Sequence, residues 1–161
     1  MVLTYHRKDF AQLPNEDRVL DTLRGAPPGQ YMFPYSASMK EMGSPEMVEK
    51  FKRGPVGMMQ VRKGGMGSMA GFLVQWFVFL LVVGIFVAYV CSRTLTAGID
   101  YLGVFRIAGV VAFLAYAGPE ATRSIWGGQP VAVTVKNYID GLIYALLTAG
   151  VFAWLWPWRT P

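Results

Sequence analysis

The sequence predicts an all-α membrane protein, with about three transmembrane helices after a mostly irregular N-terminal segment that contains two short helices. Three observations carry this reading. Of the 161 residues, 53% are apolar, and they are not spread evenly. Residues 1–71 hold ten of the fifteen Lys and Arg, seven of the ten acids and all nine Met, whereas residues 72–161 are dominated by Val, Leu, Ile, Phe, Ala, Gly, Trp and Tyr. Within that second part, residues 72–91, FLVQWFVFLLVVGIFVAYVC, run for twenty positions without a charge. Small residues also recur every fourth position on two of the apolar stretches. The expected organisation is a cytoplasmic or peripheral segment over 1–71 and a transmembrane bundle over 72–161.

The N-terminus, MVLTYHRKDF, has no apolar core and does not read as a secretory leader. Asn15 to Arg24 reads as a short amphipathic helix. Asn15 is placed as its N-cap, Val19, Leu20 and Leu23 as the apolar stripe, and Gly25, Pro27 and Pro28 as its end. The following GQYMFPYS is an extended run rich in aromatics. Around Ser44 a second helix is signalled by a capping hydroxyl, Pro45 at the first position, a body from Glu46 to Arg53, and Gly54 as stop. Glu46 with Lys50 and Glu49 with Arg53 have the favourable four-residue order, and Met47 and Phe51 point the helix's apolar side inward. Val56 to Val61 reads as a short strand or an extended lead-in, and KGGMGSMAG as a flexible approach to the membrane.

A bilayer core of ~30 Å needs about 20 helical residues, because backbone groups in lipid must be satisfied within the helix. Residues 72–91 meet this requirement. A second span is expected over 101–118 and contains Arg106. A third is expected over 138–156, or from as early as Val131 because Pro130 suits a helix start. Basic residues set the orientation. Lys52, Arg53, Arg62 and Lys63 precede the first span, and Arg123 and Lys136 lie between the second and third; only Arg93 and Arg159 fall on the other side. The expectation is a cytoplasmic N-terminus. Aromatics agree, with Trp76, Tyr116, Trp126 and Tyr138 near one interface and Tyr89, Tyr101, Trp154, Trp156 and Trp158 near the other.

Close helix approach is expected along the small residues. On the third span these are Gly141, Ala145, Ala149 and Ala153; on the first, Gly84, Ala88 and Ser92; on the second, Ala108 and Ala112. Arg106 and Asp140 are the charges within the spans. They differ in depth by roughly 15 Å or more, so they are not expected to pair. Lys136 is the nearer partner for Asp140, while Arg106 snorkels outward or meets a partner's acid or a lipid phosphate.

Several chemistries find no residues. Cys91 is the lone cysteine and His6 the lone histidine, which leaves no disulfide, no cysteine zinc site and no histidine-ligated haem or chlorophyll in the bundle. No nucleophile–base pair can be assembled from them, so no enzyme is expected. Gly65, Gly67 and Ala70 match the letters of a dinucleotide fingerprint but lack the surrounding βαβ unit. The Met residues read as adaptable packing groups. No cofactor is expected to be ligated directly, although lipids or neighbouring pigments could lie against the spans.

SPEMVEKFKRGPVG at 44–57, preceded by YMFP at 31–34 and followed by QWFVFLLVVGIFVAYV and by DGLIYALLTAG at 140–150, resembles a family of small bacterial inner-membrane proteins of unknown function. That resemblance implies an inner-membrane protein of the same layout and no activity. From the residues themselves, the expected role is a non-catalytic accessory subunit of a larger respiratory or photosynthetic membrane complex. Its partners would be other integral membrane subunits and lipids, with no nucleic acid. Tyr31, Phe33, Tyr35, Met47 and Phe51 would form a docking arm, because two short helices bury too little surface to stand alone. The alternative is a homo-oligomeric small-solute or ion transport component. A lipid-modifying enzyme has least support.

Overall fold

A computed structural model describes residues 4–65, 67–96 and 98–157; Met66, Trp158 and Arg159, which entered the sequence reading, lie outside them. The chain divides into two compact units, 1–65 and 66–161.

The first unit is more ordered in secondary structure than expected. After a 3₁₀ turn at Thr4–Lys8 it contains α1 (Glu16–Leu23), β1 (Gly29–Phe33), α2 (Met39–Met42), α3 (Pro45–Arg53) and β2 (Gly57–Val61). β1 and β2 pair antiparallel in the register Gly29–Val61, Tyr31–Met59 and Phe33–Gly57. The two extended runs were legible separately, but their pairing was not, because α2 and α3 lie between them. Pairing satisfies backbone groups that a solitary extended run would leave to water. Gly57 leaves room for its partner in this register: a Cβ there would lie 2.8 Å from the tip of the Phe33 ring and push it aside.

α3 forms as its sequence signals demand. The Ser44 hydroxyl accepts the Met47 amide at 3.2 Å, Pro45 occupies the first turn, and Gly54 ends the helix at φ 58°. α1 begins after Asn15 as expected, yet the Asn15 side chain caps nothing. Asn15 takes the left-handed conformation (φ 54°, ψ 43°) that Asn tolerates better than most residues. Its carbonyl accepts the Arg18 and Val19 amides instead. Phe33–Pro34 and Gly54–Pro55 are cis peptide bonds. Among the described residues of this unit Met47 is the buried apolar one, and the His6 imidazole is buried beside the Asp9 carboxylate, Nδ1 to Oδ2 2.6 Å.

The second unit consists of three helices long and apolar enough to cross a membrane: α4 (Met69–Thr94), α5 (Tyr101–Gly127) and α6 (Val131–Leu155). Each is longer than the apolar run that announced it. α5 passes through Gly118 and Pro119 to Gly127 rather than stopping at 118. α6 begins at Val131, seven residues before Tyr138. Hydropathy falls at these ends because Glu120, Arg123, Lys136 and Asn137 are polar, but the helical backbone continues to satisfy its own hydrogen bonds.

α5 lies against both neighbours, and the α5–α6 hairpin is the tightest part of the bundle. Ala108, Ala112 and Ala117 of α5 and Gly141, Ala145, Ala149 and Ala153 of α6 are buried. α4 joins the same cluster through Val83, Val87 and Cys91.

Candidate functional site

Two places in the molecule concentrate designed-looking chemistry: the closed end of the α5–α6 hairpin, and a concave surface in the first unit.

The hairpin is closed by three residues, Gly128–Gln129–Pro130. Gly128 has the positive φ (69°) that a helix-ending turn needs, and the Gln129 amide donates back to the Arg123 carbonyl at 3.3 Å. So short a connection forces α5 and α6 to run antiparallel side by side. It also places the Gln129 side chain between them. The Gln129 amide group donates to Glu120 Oε2 at 3.1 Å and to Thr134 Oγ1 at 3.0 Å, while Asn137 Nδ2 donates to the same carboxylate oxygen at 2.6 Å. On its other oxygen, Glu120 meets the Arg123 guanidinium at 3.5 Å. The Ser124 hydroxyl donates to the Gln129 carbonyl at 3.1 Å. The Glu120 side chain is only 13% exposed. Glu120 is therefore the acceptor of a clamp across two helices, rather than half of a solvated pair with Arg123. Buried polar networks of this kind are strong when every member is satisfied, and each donor here has its acceptor.

Farther along the bundle, α6 approaches α5 along the expected small residues. A Cβ on Gly141 would meet Ala117 Cβ at 2.8 Å, and one on Gly109 would meet Ala149 Cβ at 3.4 Å. Four aromatic rings then link all three helices: Trp76 with Phe79, Phe79 with Tyr116, Tyr116 with Tyr144, and Tyr144 with Trp76, at centroid separations of 5.6 to 6.0 Å. The Tyr116 hydroxyl lies 3.3 Å from Thr148 Oγ1.

The expected α4 face is not the one that meets α5. Gly84 has open space around the position of a Cβ, and Ala88 and Ser92 are exposed. The buried face is displaced by one residue, or 100° of helix, to Val83, Val87 and Cys91. The physical reason is complementarity. The α5 side of this contact is already small, at Ala108 and Ala112, so larger side chains from α4 fill it.

Arg106 is exposed and Asp140 half-buried. The pairing of Gly141 with Ala117 sets Asp140 level with about residue 118 of α5, twelve residues or ~18 Å along the axis from Arg106. These two charges are not brought together. Among the described residues, no group of three or more His, Cys, Asp or Glu converges.

In the first unit the five arm residues divide. Tyr35 is exposed, Phe33 is on the border of exposure, and Tyr31 and Phe51 are half-buried. Met47 is 4% exposed and serves as a core residue rather than a contact. Glu46 and Lys50 make no ion pair among the described residues, and Glu49 and Arg53 stand 3.9 Å apart. A depression of about 330 Å³ opens beside α3, lined by Phe33, Pro34, Lys50, Arg53, Gly54 and Pro55.

Sequence reasoning named Phe33 as a contact residue and Lys50, Arg53 and Gly54 only as parts of a helix, without bringing them together, and it missed the Gln129–Asn137–Glu120 clamp. The signal for the clamp was present: a Gly-Gly-Gln-Pro turn with amide and carboxylate side chains on both flanks. No family model, no curated protein and no solved structure matches the chain.

Proposed function

We propose that this chain is a non-catalytic accessory subunit of a larger bacterial inner-membrane complex, of the respiratory or photosynthetic kind, with its N-terminal unit in the cytoplasm. The observation that carries the proposal is the incomplete self-burial of the bundle. Only 11% of the most apolar stretch of α4 is buried inside the chain, against 22% for each of α5 and α6. α4 touches its own chain along one stripe, through Val83, Val87 and Cys91 and through the Trp76 and Phe79 rings. Much of its remaining surface is exposed, and at Gly84 and Ala88 it carries small residues that leave room for a neighbour.

In lipid, helices associate through close van der Waals contact and buried polar groups rather than through apolar burial. The α5–α6 hairpin uses both devices and is a rigid pair. α4 uses neither device fully, so it is the helix suited to pack against another subunit. The excess of basic residues flanking the α5–α6 turn and preceding α4 supports a cytoplasmic N-terminus. The exposed Tyr35 and the half-exposed Phe33 offer aromatic anchors of the kind enriched at interfaces.

The experiment is recovery of the tagged, full-length chain from its native membrane in gentle detergent, followed by native electrophoresis and identification of the companions. The expected result is a large species with a fixed set of integral membrane subunits, lost when Gly84 and Ala88 are both replaced by Phe. Recovery solely as a free monomer or a homo-oligomer overturns the proposal. The homo-oligomer outcome would instead favour a transport component.

A further inference from the structure

We propose that the depression between the end of β1 and the last turn of α3 is a binding site for the phosphate-bearing headgroup of an anionic phospholipid. Two of its six lining residues, Lys50 and Arg53, are cations three positions apart and hence on the same face of α3. The rest of its lining, Phe33, Pro34, Gly54 and Pro55, carries no charge, and the lining as a whole is mostly apolar. The depression is shallow and open, about 330 Å³, so it would seat a headgroup against its surface rather than enclose it.

The two cations are available. Lys50 makes no ion pair among the described residues. Among the described residues, Arg53 makes one ion pair, a 3.9 Å contact from Nε to Glu49, and its side chain is 79% exposed. The outer guanidinium nitrogens can therefore fork onto a phosphate. The surrounding segment is also unusually one-signed. From residue 50 to residue 99 there is no Asp or Glu, while Lys50, Lys52, Arg53, Arg62 and Lys63 are all cationic.

Cations in the last turn of a helix also complement its dipole, which accounts for their charge. That use needs no apolar surroundings, and it does not explain why Phe33 and two prolines line the same depression. A ligand with an anionic head and an apolar body uses both. Val56 and Met58, which follow Pro55 in the chain, are exposed apolar residues as well. These features favour a lipid over a soluble phosphate, which would leave the apolar lining uncovered. Five residues, 64–68, separate Lys63 from the first residue of α4, so the chain carries this unit immediately before a helix apolar enough to enter a bilayer.

The test uses the full-length chain in mixed micelles of a zwitterionic lipid and phosphatidylglycerol, with bound lipid counted by native mass spectrometry. Each cation near an anionic lipid surface is worth enough that losing both in Lys50→Gln/Arg53→Gln should weaken phosphatidylglycerol binding about thirtyfold. Arg62→Gln/Lys63→Gln removes the same charge at the far end of β2 and should cost clearly less. The exchange Lys50→Arg/Arg53→Lys keeps the charge and should retain binding. Both altered side chains are exposed, so the helicity of all variants should match that of the wild type. Equal losses in the two neutralised pairs would reduce the effect to general surface charge and overturn the site. Unchanged binding in Lys50→Gln/Arg53→Gln would overturn it outright. Displacement of the lipid by glycerol phosphate or inorganic phosphate at millimolar concentration would assign the site to a soluble anion and overturn the lipid assignment.

Discussion

Replacing Gly141 by Ala puts one methyl group where the structure has no room for it. The new carbon would lie 2.8 Å from Ala117 Cβ and 3.3 Å from Ala117 Cα and N. Carbon atoms rest at about 3.5–4.0 Å, so the intrusion is roughly 1 Å. The obstacle is an alanine methyl and helical backbone, with no flexible side chain to swing away. α5 and α6 must therefore separate, and a gap of 0.5–1 Å forfeits about a quarter to a half of each dispersion contact along the seam at Ala112, Ala145 and Ala149. Overpacking of this kind costs about 1–3 kcal/mol, and the better helix propensity of Ala offsets up to about 1 kcal/mol. The expected net loss is about 1–2 kcal/mol. Gly84→Ala is the internal control, because a Cβ there meets nothing within 4 Å. It should be neutral or stabilising by up to about 1 kcal/mol. The assay is reversible unfolding by an anionic detergent in mixed micelles, followed by helicity. A Gly141→Ala protein as stable as wild type, or a Gly84→Ala protein destabilised to the same extent, would refute the claim that the Ala117–Gly141 contact sets the spacing of the hairpin.

Three further outcomes follow from named contacts. Glu120→Ala leaves the Gln129 and Asn137 amides without their acceptor and should destabilise the hairpin by about 2–4 kcal/mol in the same unfolding assay; Glu120→Gln, which keeps one acceptor oxygen, should lose clearly less. Ser44→Ala removes the cap of α3 and should cost about 1 kcal/mol, read as faster hydrogen exchange at the Met47 amide with α4–α6 unchanged. Met47→Ala deletes the buried apolar side chain of the first unit and should cost about 2–4 kcal/mol, seen as exchange accelerating across α3 and both strands.

The long apolar helices were legible because lipid makes a demand on every residue in a span. A run such as 72–91 must be free of charge and long enough to satisfy its own backbone, and both conditions can be read from one stretch of chain. The α6 stripe was legible for a related reason. A period of four places Gly141, Ala145, Ala149 and Ala153 on one face whatever they meet, and the close approach of α5 through Ala117 at Gly141 follows from the missing side chain. α3 was legible down to its cap, since Ser44, Pro45 and Gly54 act on backbone groups within one or two turns.

What stayed hidden depends on a second surface. The small residues at Gly84, Ala88 and Ser92 allow close approach without requiring it, and the choice of Val83, Val87 and Cys91 was made by the alanines of α5. Pairing of β1 with β2 depends on how α2 and α3 fold the intervening chain back. Nothing in the residues next to Glu120 announces that the hairpin turn delivers Gln129 and Asn137 to one of its oxygens, opposite Arg123 on the other. The sequence by itself thus determined which segments are helical and which could live in lipid, because those are properties of consecutive residues. Tertiary structure alone decided which face of α4 is buried, that the two extended runs form a sheet, and that Lys50 and Arg53 share a depression with Phe33 and two prolines, because each of these requires groups distant in sequence to arrive at the same place.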